Sequence, residues 1–228
     1  MNYLLAQGYQ GDRAFRVLSG FSAPELTFDA NGKQLLQQLH DAERANFGEL
    51  LRLLNDPRIT GLDHYRMQWL QLGLEVLDGG HEAAIDLALA EDSLVIDLTT
   101  MSLSVRGLPV AMGGTPLFYY AWYALQRSEG EGWLSNPASN RPDIARGTEL
   151  AALMERYGGH GRAINDLEDG GLKAKTLDQN RSRIKEEVVR VLGEQLASKY
   201  LFEGGRGPDG VLMRYRLALT PDKIKVLR

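Results

Sequence analysis

Two β-rich segments, one near the middle of the 228-residue chain and one near its end, most constrain the fold. Residues 94–112 hold three short apolar stretches broken by turn-forming residues, which predicts a three-stranded antiparallel ribbon. Thr176 and Gln179 have the spacing of a capping box and open a helix predicted over 176–193. Two apolar stretches around a Gly-rich tip then predict a hairpin within 199–219. A small sheet followed by helices and a second sheet predicts an α+β fold.

Apolar residues at helical spacing predict further helices on either side of the ribbon. Three lie before it, over 33–54, 63–77 and 82–90. After it, the aromatic-rich stretch 117–127 predicts a buried helix packed on the ribbon, because aromatic side chains dominate core burial. A short helix is predicted over 148–157.

The pattern predicts two domains. Residues 1–91 form a mainly helical N-terminal domain that could serve dimerisation, and residues 92–228 form the second domain. Within the second domain, Ser128–Arg146 is rich in Pro, Asn and Gly and is longer than the usual connection of about 4–6 residues. We therefore predict that this loop is either functional or mobile. Residues 160–175 are predicted to be a connection.

The charge of the chain is unevenly distributed. The formal net charge is −4, but residues 171–228 contain 13 Lys and Arg against 7 Asp and Glu. The first 170 residues contain 13 basic and 23 acidic side chains. This asymmetry is typical of a protein whose C-terminal part faces an anion such as nucleic acid. A solvated basic tail would give the same composition.

The segment "LVIDLTTMSLSVRGLPVAM" followed by the aromatic helix resembles the opening of the winged-helix effector domains of bacterial response regulators. Their closing hairpin motif is similar to "RYRLAL" at Arg214–Leu219. The resemblance runs from residue 94 to residue 228, and nothing before it resembles a phosphoacceptor receiver domain. It implies a winged helix that binds DNA, and it implies that the core of the first helix is formed by Leu117, Tyr120, Ala121, Ala124 and Leu125.

A second resemblance is to the C-terminal regions of some CRISPR-associated accessory proteins, in the sheet, the helix "FYYAWYALQR" and the closing hairpin. Such proteins usually carry an N-terminal domain that senses cyclic oligonucleotides. This chain shows no glycine-rich nucleotide loop of that kind, so a sensing role is not carried over.

The predicted 176–193 helix is the candidate reader of DNA. Its inward face would hold Leu177, Ile184, Val188, Val191 and Leu192. Arg and Lys suit guanine edges or phosphates, and Asn and Gln suit adenine edges. The predicted nucleic-acid-binding residues, on this helix, before it and on the hairpin, are Lys173, Lys175, Thr176, Gln179, Asn180, Arg181, Arg183, Lys185, Arg206, Arg214 and Arg216. The alternative is a solvated face in which Arg183 and Glu187 form an ordinary i,i+4 pair.

Signals for catalysis and cofactors are weak. The chain has no cysteine, its four histidines are dispersed, and no stretch matches a phosphate-binding or dinucleotide loop. Asp166, Glu168 and Asp169 could bind a divalent cation through oxygen ligands, although an acidic loop in solvent is commoner. We therefore predict a non-enzyme without a cofactor or metal.

Together these patterns predict a cytoplasmic, homodimeric DNA-binding transcription regulator that binds double-stranded DNA and no membrane. A first alternative is a winged-helix protein-interaction module, with the aromatic helix and the 128–146 loop as its docking surface. A second is a CRISPR-associated accessory protein that processes nucleotides, which requires His160 to converge with the acidic residues at 166–169.

Overall fold

The computed structural model describes residues 56–207, 210 and 212–228. Residues 57–228 form one compact unit of helices and two small sheets, so the fold class is α+β, as predicted. The predicted helix over 33–54 lies outside the described residues. In the described part of the chain, no helix has the length and apolar character needed to cross a bilayer.

Three helices precede the first sheet: α1 (Pro57–Thr60), α2 (His64–Val76) and α3 (Gly80–Leu89). Asp63 caps α2, because its carboxylate accepts a hydrogen bond of 2.8 Å from the Arg66 backbone N–H. The predictions of helices over 63–77 and 82–90 are thus confirmed within a few residues.

The first sheet has four strands, in the order β3-β2-β1-β7. The predicted ribbon supplies β1 (Leu94–Asp97), β2 (Ser102–Val105) and β3 (Leu108–Pro109), which pair antiparallel. The fourth strand, β7 (Ile224–Leu227), was not predicted and runs parallel to β1. The first sheet is therefore mixed rather than purely antiparallel.

Helix α4 (Gly114–Ser128) is the central core element. Its aromatic side chains are buried, as the sequence predicted, and Tyr120 is fully inaccessible. The five core residues implied by the resemblance are all buried: Leu117, Tyr120, Ala121, Ala124 and Leu125.

The region between α4 and the candidate reader helix is more ordered than predicted. It contains β4 (Leu134–Ser135), α5 (Ile144–Arg156) and α6 (Gly161–Gly170). Part of the predicted 128–146 loop is thus a strand, and its last residues belong to α5. The predicted connection at 160–175 contains α6, which begins after His160.

Helix α7 (Ala174–Ala197) covers the predicted 176–193 helix and is interrupted at Gly193, which has φ 73° and ψ 161°. Its N-cap is Lys173, so the prediction that Thr176 opens the helix is wrong. The physical reason is that Leu172 exchanges two backbone hydrogen bonds of 2.9 Å with Asp143. The extended segment thus ends at that pair, and the helix begins directly after it.

A 3₁₀ turn (Ser198–Tyr200) leads into β5 (Phe202–Arg206) and β6 (Met213–Leu217), which form the predicted hairpin. Strand β4 pairs with β6, so the second sheet has the order β4-β6-β5 and is antiparallel. A second 3₁₀ turn (Pro221–Lys223) returns the chain to β7.

The compact unit includes α2 and α3, which the predicted division after residue 91 assigns to a separate domain. Trp69 on α2 is fully buried and packs edge-on against Tyr200, with ring centroids 6.2 Å apart. Helix α2 therefore shares a core with the segment that follows α7, and α3 packs on α2, where Gly73 lies against Ala84.

Candidate nucleic-acid interface

Helix α7 has one buried and one exposed side. Leu177, Ile184, Val188 and Leu192 are at most 3% exposed and pack inward. Val191, predicted to be inward, is half-buried. On the opposite side, polar residues recur at spacings of three and one along the first three turns. We call this surface the α7 ridge, and it consists of Lys175, Asp178, Gln179, Ser182, Arg183 and Glu186, all exposed.

Two open depressions flank the α7 ridge, and Asp178 and Ser182 line both of them. The first, which we call the hairpin groove, lies between α7 and the β5–β6 hairpin and has a volume of about 520 Å³. The second, the turn groove, has a volume of about 590 Å³ and has Ser139 on its far wall. The ridge therefore stands between two grooves.

The ridge and its flanks carry cations without acidic partners. Four basic side chains, one at the N-cap and three in the first half of α7, are exposed and form no ion pair within the described part of the chain: Lys173, Lys175, Arg183 and Lys185. Lys185 lines the hairpin groove, while Lys175 and Arg183 line the turn groove. Each groove thus has unpaired basic side chains on its α7 wall, together with carboxylates: Asp178 lines both grooves, Glu194 the hairpin groove and Glu186 the turn groove.

Arg181 was predicted to face outward, and that prediction is wrong. The side chain is buried and donates a hydrogen bond of 2.6 Å to the Tyr123 hydroxyl and one of 3.2 Å to Asn136. It also pairs with Asp178, and its guanidinium lies 3.7 Å from the centroid of the Tyr215 ring. Arg181 therefore joins α7 to α4, to the end of β4 and to β6.

Asn180 is likewise buried, and its side-chain amide donates a hydrogen bond of 2.9 Å to the Thr176 carbonyl. Asn180 and Arg181 follow Leu177 by three and four residues, which places them on its side of the helix. The helical spacing alone could have identified both as inward, and their polarity misled the sequence interpretation.

The burial of Tyr123 raises the pKa of its hydroxyl, and the neighbouring Arg181 charge offsets part of that rise. The hydroxyl therefore stays protonated and fixed beneath the ridge. This contact is structural, since Tyr123 is 1% exposed and Arg181, which reaches only the edge of the hairpin groove, is 7% exposed.

The hairpin separates the arginines that the sequence placed together. Tyr215 faces α7, and side chains alternate along a strand, so Met213 and its partner Arg206 share that face. Arg214 and Arg216 point to the other face and stack on Trp133, 4.4 and 4.5 Å from its ring. Of the three hairpin arginines, Arg206 alone lies on the side of α7.

Arg216 is also paired twice with acidic groups, with Glu203 and, at 2.6 Å, with Glu131. Its charge is therefore balanced within the hairpin and its surroundings. The prediction that Arg214 and Arg216 belong to the same surface as the reader helix is wrong, because strand alternation directs them away from it.

A second polar cluster lies around Asp92 and not at the ridge. Its carboxylate accepts hydrogen bonds from Tyr65 at 2.7 Å, Tyr200 at 2.8 Å, Arg106 at 2.9 Å and Lys199 at 3.2 Å. Burial alone would raise the pKa of Asp92. The two tyrosine hydroxyls and the Arg106 charge outweigh burial and lower that pKa to about 2.

Arg106 extends the Asp92 cluster into α3. Its guanidinium donates to the carbonyl oxygens of Leu87 and Ala88 at 3.2 and 3.3 Å and lies 4.8 Å from the Trp69 ring centroid. The cluster therefore links α2, α3 and the β1–β2 hairpin to the turn after α7. Its charged groups are paired with one another.

The acidic residues at 166–169 do not form a metal site. Within residues 56–207, 210 and 212–228, no three His, Asp or Glu side chains converge on a point that could hold a metal ion. His160 instead caps α6, since its Nδ1 accepts a hydrogen bond of 3.3 Å from the Arg162 backbone N–H.

Comparisons of this chain with protein-family models, curated proteins and solved structures find no match.

Proposed function

We propose that this protein is a transcription regulator that binds double-stranded DNA through the α7 ridge. The observation that carries the proposal is the set of four exposed cations at the N-cap and in the first half of α7, beside two open grooves; none of the four forms an ion pair with the described residues. The chain as a whole has a net charge of −4, so this local excess of positive charge contrasts with the rest of the sequence.

The shape of the surface suits a DNA major groove. A helix with its side chains is about 10–12 Å across, and the major groove is about 12 Å wide. A phosphate backbone borders that groove on each side. With the ridge inserted, one backbone would pass along the hairpin groove beside Lys185 and the other along the turn groove beside Lys175 and Arg183.

The ridge also offers groups for base recognition. Gln179 and Arg183 are exposed, and such side chains make bidentate bonds to adenine and guanine edges. Asp178 and Glu186 are the exceptions, because a carboxylate repels phosphate. The charge of Asp178 is offset by Arg181, and its remaining acceptor capacity suits a cytosine amino group. The contacts fall in the N-terminal half of the helix, as in other major-groove readers.

The order of elements supports the same proposal. Helix α4, strand β4, helix α5, helix α7 and the β5–β6 hairpin follow one another as in a winged helix, with α6 in addition. Arg206 lies on the α7 side of the hairpin, so it is the hairpin residue placed to assist binding. The homodimer and the cytoplasmic location stay predictions from the sequence.

The test is binding of the full 228-residue chain to a mixed-sequence DNA duplex across a salt series. Each phosphate that the protein neutralises should contribute about −0.9 to the slope of log K against log salt. We expect a clearly negative slope. A flat response, or no binding at low salt, would contradict the proposal and favour a protein-interaction module built on the same scaffold.

A further inference from the structure

The loop between β4 and α5, predicted to be either functional or mobile, is held at both ends. At one end, the Asn136 side chain accepts a hydrogen bond of 3.2 Å from Arg181 and donates one of 3.4 Å to Asp178. At the other end, Asp143 and Leu172 exchange two backbone hydrogen bonds. The loop is thus fixed to the start of α7 by polar contacts that do not involve its tip.

The tip of this loop is a tight turn at Ala138–Arg141, closed by a 3.0 Å hydrogen bond from the Arg141 N–H to the Ala138 carbonyl. Ser139, Asn140 and Arg141 are exposed. Arg141 forms no ion pair within the described residues. The turn therefore presents a hydroxyl, an amide and an unneutralised guanidinium to solvent in a fixed position.

The turn faces the same groove as the cations of α7. Ser139 lines the turn groove, and Lys175 and Arg183 line its opposite side. A strand of negative charge lying in this groove would have hydrogen-bond donors on both walls, and on the α7 wall these stand beside the carboxylates of Asp178 and Glu186. An ordered turn also loses little conformational entropy when it binds, which favours its use as a contact element.

We propose that the Ala138–Arg141 turn is a second phosphate-binding element, with the Ser139 hydroxyl and the Arg141 guanidinium as its contacts. It would bind the DNA backbone that borders the major groove on the side of α7 away from the hairpin. This inference rests on the proposed function. Ser139 lines the turn groove away from the ridge, and the exposed Arg141 lies two residues further along the same turn, so both would position the duplex without reading its sequence.

The first test replaces Arg141 by Gln (R141Q) in the full chain and repeats the salt series with two duplexes of unrelated sequence. We expect affinity to fall severalfold and equally for both duplexes, and the slope to become shallower by about 0.9, the contribution of one phosphate. The matched control is R156Q, which removes the same charge as R141Q. Arg156 lies away from the turn groove, in a separate depression beside Trp122.

The outcomes distinguish this inference from the proposed function. If the wild-type chain binds DNA and R183Q weakens binding, but R141Q behaves like R156Q, the turn is not a contact and the α7 ridge remains one. If the wild-type chain does not bind DNA, both fail.

A second variant tests the position of the turn more directly. Ser139→Asp places a carboxylate on the wall of the turn groove, where it would repel a phosphate backbone. We expect affinity for the duplex to fall by about tenfold at low salt and the difference to shrink as salt is added. Unchanged affinity in a variant with the wild-type urea midpoint would overturn the inference.

Discussion

The Asp92 cluster and the α7 ridge use charged residues in opposite ways. Around Asp92, each cation has an acidic or aromatic partner, and Arg106 is buried. Along the ridge, Lys175 and Arg183 are exposed and unpaired within the described residues. A charge that is already compensated stabilises the fold, whereas an uncompensated exposed charge is available to a partner. The comparison predicts that variants of the two regions change different observables.

The largest expected effect comes from Arg106→Ala in the Asp92 cluster. The change removes one of the four donors to Asp92, the side-chain donor to the Leu87 and Ala88 carbonyl groups, and the packing on Trp69. We expect the free energy of unfolding to fall by about 3 kcal/mol. Urea denaturation measures it, with Arg162→Ala as the control, because Arg162 is exposed and forms no ion pair with any residue that the structure describes. A loss of less than about 0.5 kcal/mol, the range of ordinary surface changes, would contradict a stabilising role.

The next effect comes from the junction between the two regions. Gly193 separates the ridge part of α7 from the residues that reach Asp92, and its backbone lies where essentially only glycine is found. Gly193→Ala should therefore cost about 1–3 kcal/mol of stability. Thermal unfolding of the variant checks this, with Gly161→Ala as the comparison, because Gly161 has ordinary φ and open space around it. Equal stability of the two variants would contradict it.

A smaller effect concerns pH. The pKa of Asp92 is lowered from 3.8 to about 2, so its ionised form stabilises the fold. That stabilisation is complete above the ordinary Asp pKa and is lost as pH falls through about 2. Because the carboxylate is partly exposed, we expect about 1–2 kcal/mol. Denaturation of wild type and Asp92→Asn in acid should show their difference narrowing as pH falls, and a constant difference would contradict it.

The smallest expected changes in free energy are those in DNA binding. Arg183→Gln should weaken duplex binding about fivefold and make the salt slope shallower by about one, without loss of stability. Arg216→Gln removes the same charge from the other face of the hairpin, where Glu131 and Glu203 already balance it. Fluorescence anisotropy should find its affinity within about twofold of wild type. Equal losses in both variants would mean that binding follows net charge and not the ridge.

Local patterns predicted the elements that depend on local forces. The ribbon at 94–112, the aromatic core helix and the closing hairpin follow from alternation, helical spacing and turn residues, and all three are present. Strand β7 could not be predicted, because its pairing partner β1 lies about 130 residues earlier and selects it by tertiary contact.

The candidate site was predicted in part. Lys175, Gln179, Arg183 and Lys185 are exposed on α7, and Lys173 is exposed at its N-cap, as the sequence indicated. The spacing of Arg181 to Leu177 and Ile184 predicts that it lies on the inward side of the helix. Its partners Tyr123 and Asn136 could not be predicted, because they are distant in sequence. Predicting that Arg214 and Arg206 lie on different faces requires the register of the hairpin. Predicting that Ser139 lies near α7 requires the pairing of Asp143 with Leu172.

The most direct test of the account is site-specific photocross-linking of the full chain to a DNA duplex. A photoreactive side chain at Gln179, in the centre of the α7 ridge, is compared with one at Gln71, which is exposed on α2. The account predicts cross-links to DNA from position 179 that disappear at high salt, and none from position 71. Binding to the duplex with cross-links from position 71 and none from position 179 would contradict it.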